Sequence, residues 1–393
     1  MALKAANASV SQGHCSSLKG SEKAGVVYRS MNQQPAIKTL DVKLSRIGSD
    51  PQCRDFILAD AKDADMAFGL AATGVRPGGD AVQGPFHSIE DYRESIREIV
   101  KQGFIDIMLM SASTSEVLTL DEGLFTGSAV TPAVRMNDTT DIWLATGVGG
   151  YRHEPALPFS TTTIAQAQCG RIHMPSGERP RDLNLGLFSV TFNDDASLDR
   201  DMLTAYRNFR IESELVGFRH FLEVFFPNAI NHLLRRSDSG RPTVEYSGVP
   251  RDAGRFLADS VVRALAGVPR AGRPLFLKIP YLGPCITEQL TGYDRSLVVG
   301  ILGGAAGTTH DAYGLVADAK RYGARVALYG RKINAAEHQL SFVKFLRAVA
   351  DDKIDAAEAV KAYHGELQTL GIVPHRSLSD DLTRTSPPRA IAP

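Results

Sequence analysis

An α/β fold, and within that class a (β/α)8 TIM barrel, is predicted by three observations. Short apolar runs recur eight times between Phe56 and Gly330. Most are followed by a segment with apolar residues at helical spacing, and the series occupies about 300 residues. Buried apolar strands alternating with helices imply a parallel sheet. Eight such units in that length favour closure into a barrel over the alternative, an open doubly wound sheet.

Residues 1–50 are read as an N-terminal extension, partly disordered, with a short strand near Ile37–Leu44. The barrel is expected over 51–370, and 371–393 as a flexible tail containing Pro and Ser. FILAD (56–60) is the first strand. SIEDYRESIREIVKQG (88–103) starts Ser-x-x-Asp and ends in glycine, the pattern of a capped helix. FIDIMLM (104–110) is the second strand, SEVLTLDEGLF (115–125) a helix and AVRMN (133–137) the third strand. Loops are expected at 147–159 and 171–183 around a helix at 161–170. LGLFSVTF (185–192), helix 196–217 and FRHFLEVFF (218–226) follow. A long connection leads to helix 252–267 and then PLFLKIPYLGP (274–284), a mostly apolar run that carries Lys278 between two prolines. SLVVGILGG (296–304), helix 309–323, ARVALYG (324–330) and helices 335–352 and 355–369 complete the series.

Composition excludes several classes. Forty-four basic and 44 acidic side chains leave no bulk charge to attract nucleic acid. No apolar run approaches the roughly 20 residues of a membrane span. The four cysteines form no C-x-x-C pair or metal-ligand spacing, so a reduced, cytoplasmic setting and no metal or other cofactor are expected. Exposed apolar positions on the outer helices suit a homo-oligomer.

In such barrels the chemistry sits where strands meet the loops that follow them. Those positions hold Asp60, Ser111, Asn137, Thr191, Glu223, Lys278, Gly303 with Gly304, and Gly330 with Arg331. A lysine buried at a strand end either snorkels to solvent or is desolvated into a nucleophile that forms a Schiff base. GGAAGTTHD (303–311) opens a helix, so its N–H groups suit an anion such as phosphate, and Arg331 adds a charge-assisted contact. Ordinary turn glycines are the alternative. Asp60 could instead cap the segment 61–70, and Glu223 could pair with Lys278 or Arg219 as a structural ion pair. Lys62, Asp63 and Asp65 read as solvated or local helix charges.

The residues quoted above resemble the class I (Schiff-base) aldolases of the deoxyribose-phosphate, tagatose-bisphosphate and fructose-bisphosphate aldolase superfamily. The resemblance spans about residues 54–350 and is strongest over 274–347. LFLKIP is similar to the strand bearing the Schiff-base lysine, Lys278. VVGILGGAAGTTHDAYGLVADAKRYGARVALYGRKI is similar to the two-strand phosphate site. FILADAKDADMAFG implies an aspartate on the reacting hydroxyls, Asp60, and FLEVFFPN an acid/base glutamate, Glu223. AVRMNDTTDIW resembles the third strand, placing Asn137 at the substrate. Two departures stand out. Phe225 and Phe226 occupy the place of an acid/base tyrosine in archaeal-type members, and Leu302 that of a small polar residue.

The resemblance implies a lyase of the aldehyde-lyase type that cleaves a phosphorylated ketose, resembling fructose or tagatose bisphosphate or sulfofructose phosphate. Lys278, Glu223 and Asp60 would be catalytic. Gly303, Gly304, Gly330, Arg331 and Asn137 would bind substrate and phosphate. The alternatives are a transaldolase- or thiolase-like transferase on the same barrel, or a non-catalytic phosphosugar-binding barrel.

Overall fold

The computed structural model describes residues 36–76, 85–137, 154–173, 183–229, 253–304 and 307–385. The disorder expected of residues 1–35 and much of the predicted loops and the 227–248 connection lie outside these residues. Eight parallel strands form one sheet: β1 (Ile57–Lys62), β2 (Ile107–Met110), β3 (Thr131–Arg135), β4 (Leu185–Thr191), β5 (Arg219–Phe225), β6 (Leu277–Lys278), β7 (Gly300–Gly303) and β8 (Val326–Tyr329). β1 pairs with both β2 and β8, so the series bends round. The seam between β6 and β7 is closed by bridges at Phe276↔Val298 and Ile279↔Ile301. Three backbone bonds reinforce it, among them Leu277 N–H to Val298 O at 2.8 Å. Gly300 belongs to this seam. A Cβ there would collide with the Leu277 carbonyl, so a side chain would force the strands apart.

Side-chain alternation along each strand sorts the core into two layers. Ile57, Ala59, Ala61, Ile107, Leu109, Ala133, Leu185, Leu187, Phe221, Phe276, Val326 and Leu328 fill the barrel interior. The intervening residues, such as Leu58, Met108, Val134, Phe188, Leu222 and Leu277, meet the helices outside. Inside, the Phe221 and Phe276 rings stack with centroids 4.6 Å apart.

The helices are α1 (Thr39–Ser49), α2 (Ile89–Gln102), α3 (Ile164–Cys169), α4 (Ala196–Val216), α5 (Ala253–Ala266), α6 (Gly283–Tyr293), α7 (Thr309–Arg321), α8 (Gln339–Ala350) and α9 (Ala356–Thr369). Local chemistry sets their ends. Ser88 with Asp91 forms a capping box on α2 and Gly103 ends it in a left-handed conformation; α7 and α9 are boxed by Thr308 with Asp311 and by Asp355 with Glu358.

Four expectations need correction. Residues 39–49 form α1, whereas a strand was read near Ile37–Leu44; Leu40 is buried with the barrel interior, and Leu44 and Ile47 pack against it. Their spacing is three to four residues, which fits a helix laid over the barrel floor. α6 was not anticipated, because Gly283 and Pro284 at its start look like loop residues; proline is tolerated in a first turn. The helix expected over 115–125 begins at Ala112 and ends as a wide π-helical turn at Asp121. Within the presumed tail, residues 371–385 pack onto the barrel, with a helical turn at Leu378–Asp381 and Asp381 buried.

A buried charged cluster ties α1, β1, β2 and α8 together. Asp106, just before β2, lies 2.8 Å from Lys43 and 3.2 Å from Arg347, and accepts the Leu58 N–H at 2.9 Å. Asp106→Ala would remove the carboxylate between two cations, leaving Lys43 with the Phe56 carbonyl and Arg347 with that carbonyl and Asp351. A loss of about 2–3 kcal/mol is expected in urea unfolding, since each cation keeps a second partner; a change under about 0.5 kcal/mol would contradict this role.

Candidate active site

Lys278 and Glu223 are directly opposite in the β5–β6 register, and both belong to the inward-facing set. Two residues earlier on the same strands sit Phe276 and Phe221, whose rings form an apolar floor beneath them. Lys278 is 7% exposed and Glu223 2%. Lys278 Nζ lies 2.6 Å from Glu223 Oε1. This contact answers the snorkelling alternative: the ammonium ends on a buried carboxylate, not in water.

The other carboxylate oxygen is anchored separately. Ser189, paired with Glu223 across β4 and β5, donates its hydroxyl to Glu223 Oε2 at 2.7 Å, and Arg135 approaches it at 3.4 Å. Arg135 also donates to Asp63 at 2.9 Å, to Ser189 Oγ at 2.8 Å and to the Asn137 carbonyl at 2.8 Å. Two cations and two carboxylates thus form one buried cluster. Such a cluster is tolerable only when each charge is paired and hydrogen-bonded.

A cavity of about 450 Å³ opens above this cluster. Asp63, Arg135, Glu223 and Lys278 line it with Arg331 and Gly303, and Phe68, Phe225, Leu302 and Leu328 supply apolar wall. Gly330 lines it too; a Cβ there would lie 2.5 Å from the Ala61 carbonyl, so the close packing of the β8 end on β1 requires glycine. Arg331 is exposed, with its guanidinium 5.7 Å from the centre of the Phe68 ring. A wider space of about 930 Å³, shared through Phe68, Gly330 and Arg331, continues towards α2.

Not every anticipated residue reaches this cavity. Asp60 does not, because Ala59 and Ala61 face the interior and Asp60 falls between them. It points into the helix layer, fully buried, 3.6 Å from Lys62 and without a hydrogen bond to either oxygen. Lys62, in turn, donates to Gln339 at 2.6 Å and Asn334 at 3.3 Å. Asn137 does not line the cavity either. Its amide bonds the Ser189 carbonyl at 2.8 Å and accepts the Ser189 N–H at 2.7 Å, extending the β3–β4 ladder with a side chain. Gly304 lies outside the lining, and residues 305–306 fall outside the described set.

The start of α7 is already occupied by carboxylates. Thr309 N–H is taken by Asp381 at 2.7 Å and Thr308 N–H by Asp311 at 2.9 Å. Acid groups are favourable at that end of a helix, which is why these two settle there. Of the N–H groups in 303–311 read as an open anion site, those of Thr308 and Thr309 are therefore engaged by the chain itself.

Arg135 and Ser189 carry a signal in the sequence. An arginine in the apolar run AVRM is as anomalous as a lysine in LFLKIP, and Ser189 is fixed once Glu223 sets the inward parity. Asp63, read as a solvated charge, is 8% exposed and sits against Arg135. Asp65, read the same way, accepts from Ser111 at 2.5 Å, and burial raises its pKa.

No protein-family model matches the sequence, and no curated protein matches it. Solved structures share its fold. A fructose-bisphosphate aldolase from Slackia heliotrinireducens superposes with a TM-score of 0.54 at 14% identity, covering 83% of this chain and 90% of its own. An archaeal fructose 1,6-bisphosphate aldolase gives 0.51 at 13% identity, covering 79% and 98%. A Schiff base forming fructose-1,6-bisphosphate aldolase gives 0.51 at 15% identity, covering 80% and 100%. At such identities the likeness establishes the (β/α)8 fold, and activity has to be argued from the site.

Burial pushes the Asp60 pKa from 3.8 up to about 6, against the pull of Lys62. A carboxyl that holds its proton more tightly when folded gives stability that is present below about pH 4 and lost as pH rises through about 6. Asp60→Asn removes this titration. Relative to the variant, the wild type should lose on the order of 2–3 kcal/mol between pH 4 and pH 7. Parallel stability curves for the two proteins would contradict it.

Proposed function

We propose that this protein is a carbon–carbon lyase of the class I aldolase type, acting on a phosphorylated ketose through a Schiff base on Lys278. The observation that carries the reading is the 2.6 Å contact between Lys278 Nζ and Glu223 Oε1, buried at the wall of a cavity that opens to solvent. A lysine and a carboxylate so placed can exchange a proton without solvent. The fold shared with fructose-bisphosphate aldolases, one of them described as Schiff base forming, supports the same chemistry.

In this mechanism Glu223 takes the proton from Lys278, and the free amine attacks the ketone carbon. Loss of water from the carbinolamine leaves an iminium, whose positive nitrogen is an electron sink. A base removes the β-hydroxyl proton and the neighbouring C–C bond breaks. The aldehyde departs, and the bonding pair moves into the iminium to give an enamine. Protonation of the enamine carbon and addition of water release the ketone fragment and restore the amine. Glu223 is positioned for the proton transfers at the nitrogen. Asp63, held by Arg135 at the cavity wall, replaces Asp60 as the carboxylate able to meet substrate hydroxyls. Arg331, beside Gly303 and Gly330 in the cavity lining, receives the anionic group. Phe225, Leu302 and Phe68 limit water around the iminium.

The test is borohydride reduction in the presence of fructose 1,6-bisphosphate, tagatose 1,6-bisphosphate or 6-deoxy-6-sulfofructose 1-phosphate. Peptide mass mapping should find the reduced adduct on Lys278 and none in Lys278→Ala. Glu223→Gln should lower the cleavage rate by about 10²–10⁴-fold. Sugar binding without any adduct would favour a non-catalytic phosphosugar-binding barrel. Adduct formation with fragment transfer to an added aldehyde, and no net cleavage, would favour a transaldolase-like enzyme.

A further inference from the structure

We infer that Arg135 is a positioning residue that governs where the proton shared by Glu223 and Lys278 rests, and that Asp63 tunes it by sharing its charge. The inference deepens the Schiff-base reading and rests on it.

Lys278 is a nucleophile only as the neutral amine, so each turnover must move its proton to a neighbour and later return one. Glu223 Oε1 is that neighbour, at 2.6 Å. The geometry splits the duties of the carboxylate between its two oxygens. Oε2 is fixed by the Ser189 hydroxyl at 2.7 Å and faces Arg135 at 3.4 Å, which leaves Oε1 directed at the lysine.

Arg135 is held largely by other groups. Its contacts to Asp63, Ser189 and the Asn137 carbonyl are all shorter than its contact to Glu223. The guanidinium therefore keeps its place whether Glu223 is charged or neutral, and acts as a fixed positive charge beside the pair. Asp63, which meets the same guanidinium nitrogen as Glu223 and lies closer to it, offsets part of its field. Among the described residues, the other charged groups that line the cavity with Glu223 are Lys278 from β6 and Arg331 after β8. Asp60 and Lys62 lie behind β1 in the helix layer.

A fixed positive charge favours the proton-poor form of both partners, and its loss favours the proton-rich form. The two substitutions must then act in opposite senses. With Arg135→Gln, the pH profile of Lys278 reactivity moves to higher pH. With Asp63→Asn, which unmasks Arg135, it moves to lower pH. Each displacement should be about one pH unit. A merely structural role would lower reactivity without moving the two profiles apart.

Pentane-2,4-dione is a probe that needs no knowledge of the substrate. The amine condenses with one carbonyl, expelling water, and the conjugated enaminone absorbs in the near ultraviolet. Its rate of formation is measured from pH 5 to pH 10 on the full chain, with the adduct located by peptide mapping. Opposite displacements for the two variants, and a wild-type profile for Arg135→Lys, are the expected results. An adduct on Lys278 in the wild type with both profiles unmoved, or moved the same way, overturns this inference and leaves the Schiff-base reading intact. Absence of any adduct on Lys278 in the wild type overturns both. Should Arg135→Gln not fold, an Asp63→Asn profile that fails to move to lower pH is sufficient to overturn the inference.

Discussion

The site depends on strand register. Ser189, Glu223 and Lys278 are successive partners across β4, β5 and β6, and all three point into the barrel. Because side chains alternate, a slip of one residue on β5 would turn Glu223 into the helix layer and leave Lys278 buried without its counter-charge. An unpartnered buried ammonium costs several kcal/mol, so register and ion pair stabilise each other. The stacked Phe221 and Phe276 rings below fix the same alignment by packing.

From that layer the rest of the site follows by charge balance. Arg135 on β3 reaches the second oxygen of Glu223, and Asp63 after β1 balances Arg135. Four charges therefore meet in a space walled by Phe68, Phe225, Leu302 and Leu328, where fields are stronger than in water. The N–H groups of Thr308 and Thr309 at the start of α7 take no part in this balance, since Asp311 and Asp381 already satisfy them. Arg331 is thus the cation of the cavity lining that is not engaged in the buried cluster, and it stands at the junction with the wider space towards α2.

Much of this was legible in the chain. The eight apolar runs gave the barrel because buried parallel strands have a composition that few other elements share. Lys278 and Glu223 were legible because a charge inside such a run is anomalous wherever it falls. Asp60 shows the limit of the same logic: FILAD marks a strand end, but the end alone does not say which side of the sheet a residue faces. Only the parity set by Ala59 and Ala61 does so. At the start of α7 the Thr-x-x-Asp capping box of Thr308 and Asp311 is a local pattern, whereas the second carboxylate, Asp381, lies 72 residues further along the chain and is beyond its reach. α1 was misread because its apolar residues face the barrel floor, a contact between segments distant in sequence.

The central claim is that Lys278 forms a covalent bond to its substrate with Glu223 beside it. A crystal structure of the protein reduced with borohydride in the presence of fructose 1,6-bisphosphate tests this most directly. Continuous density is expected from Lys278 Nζ to the former ketone carbon, with Glu223 Oε1 still within hydrogen-bond reach of that nitrogen. A sugar lying in the cavity with Lys278 unmodified, or a bond formed by another lysine such as Lys62 or Lys332, would contradict it.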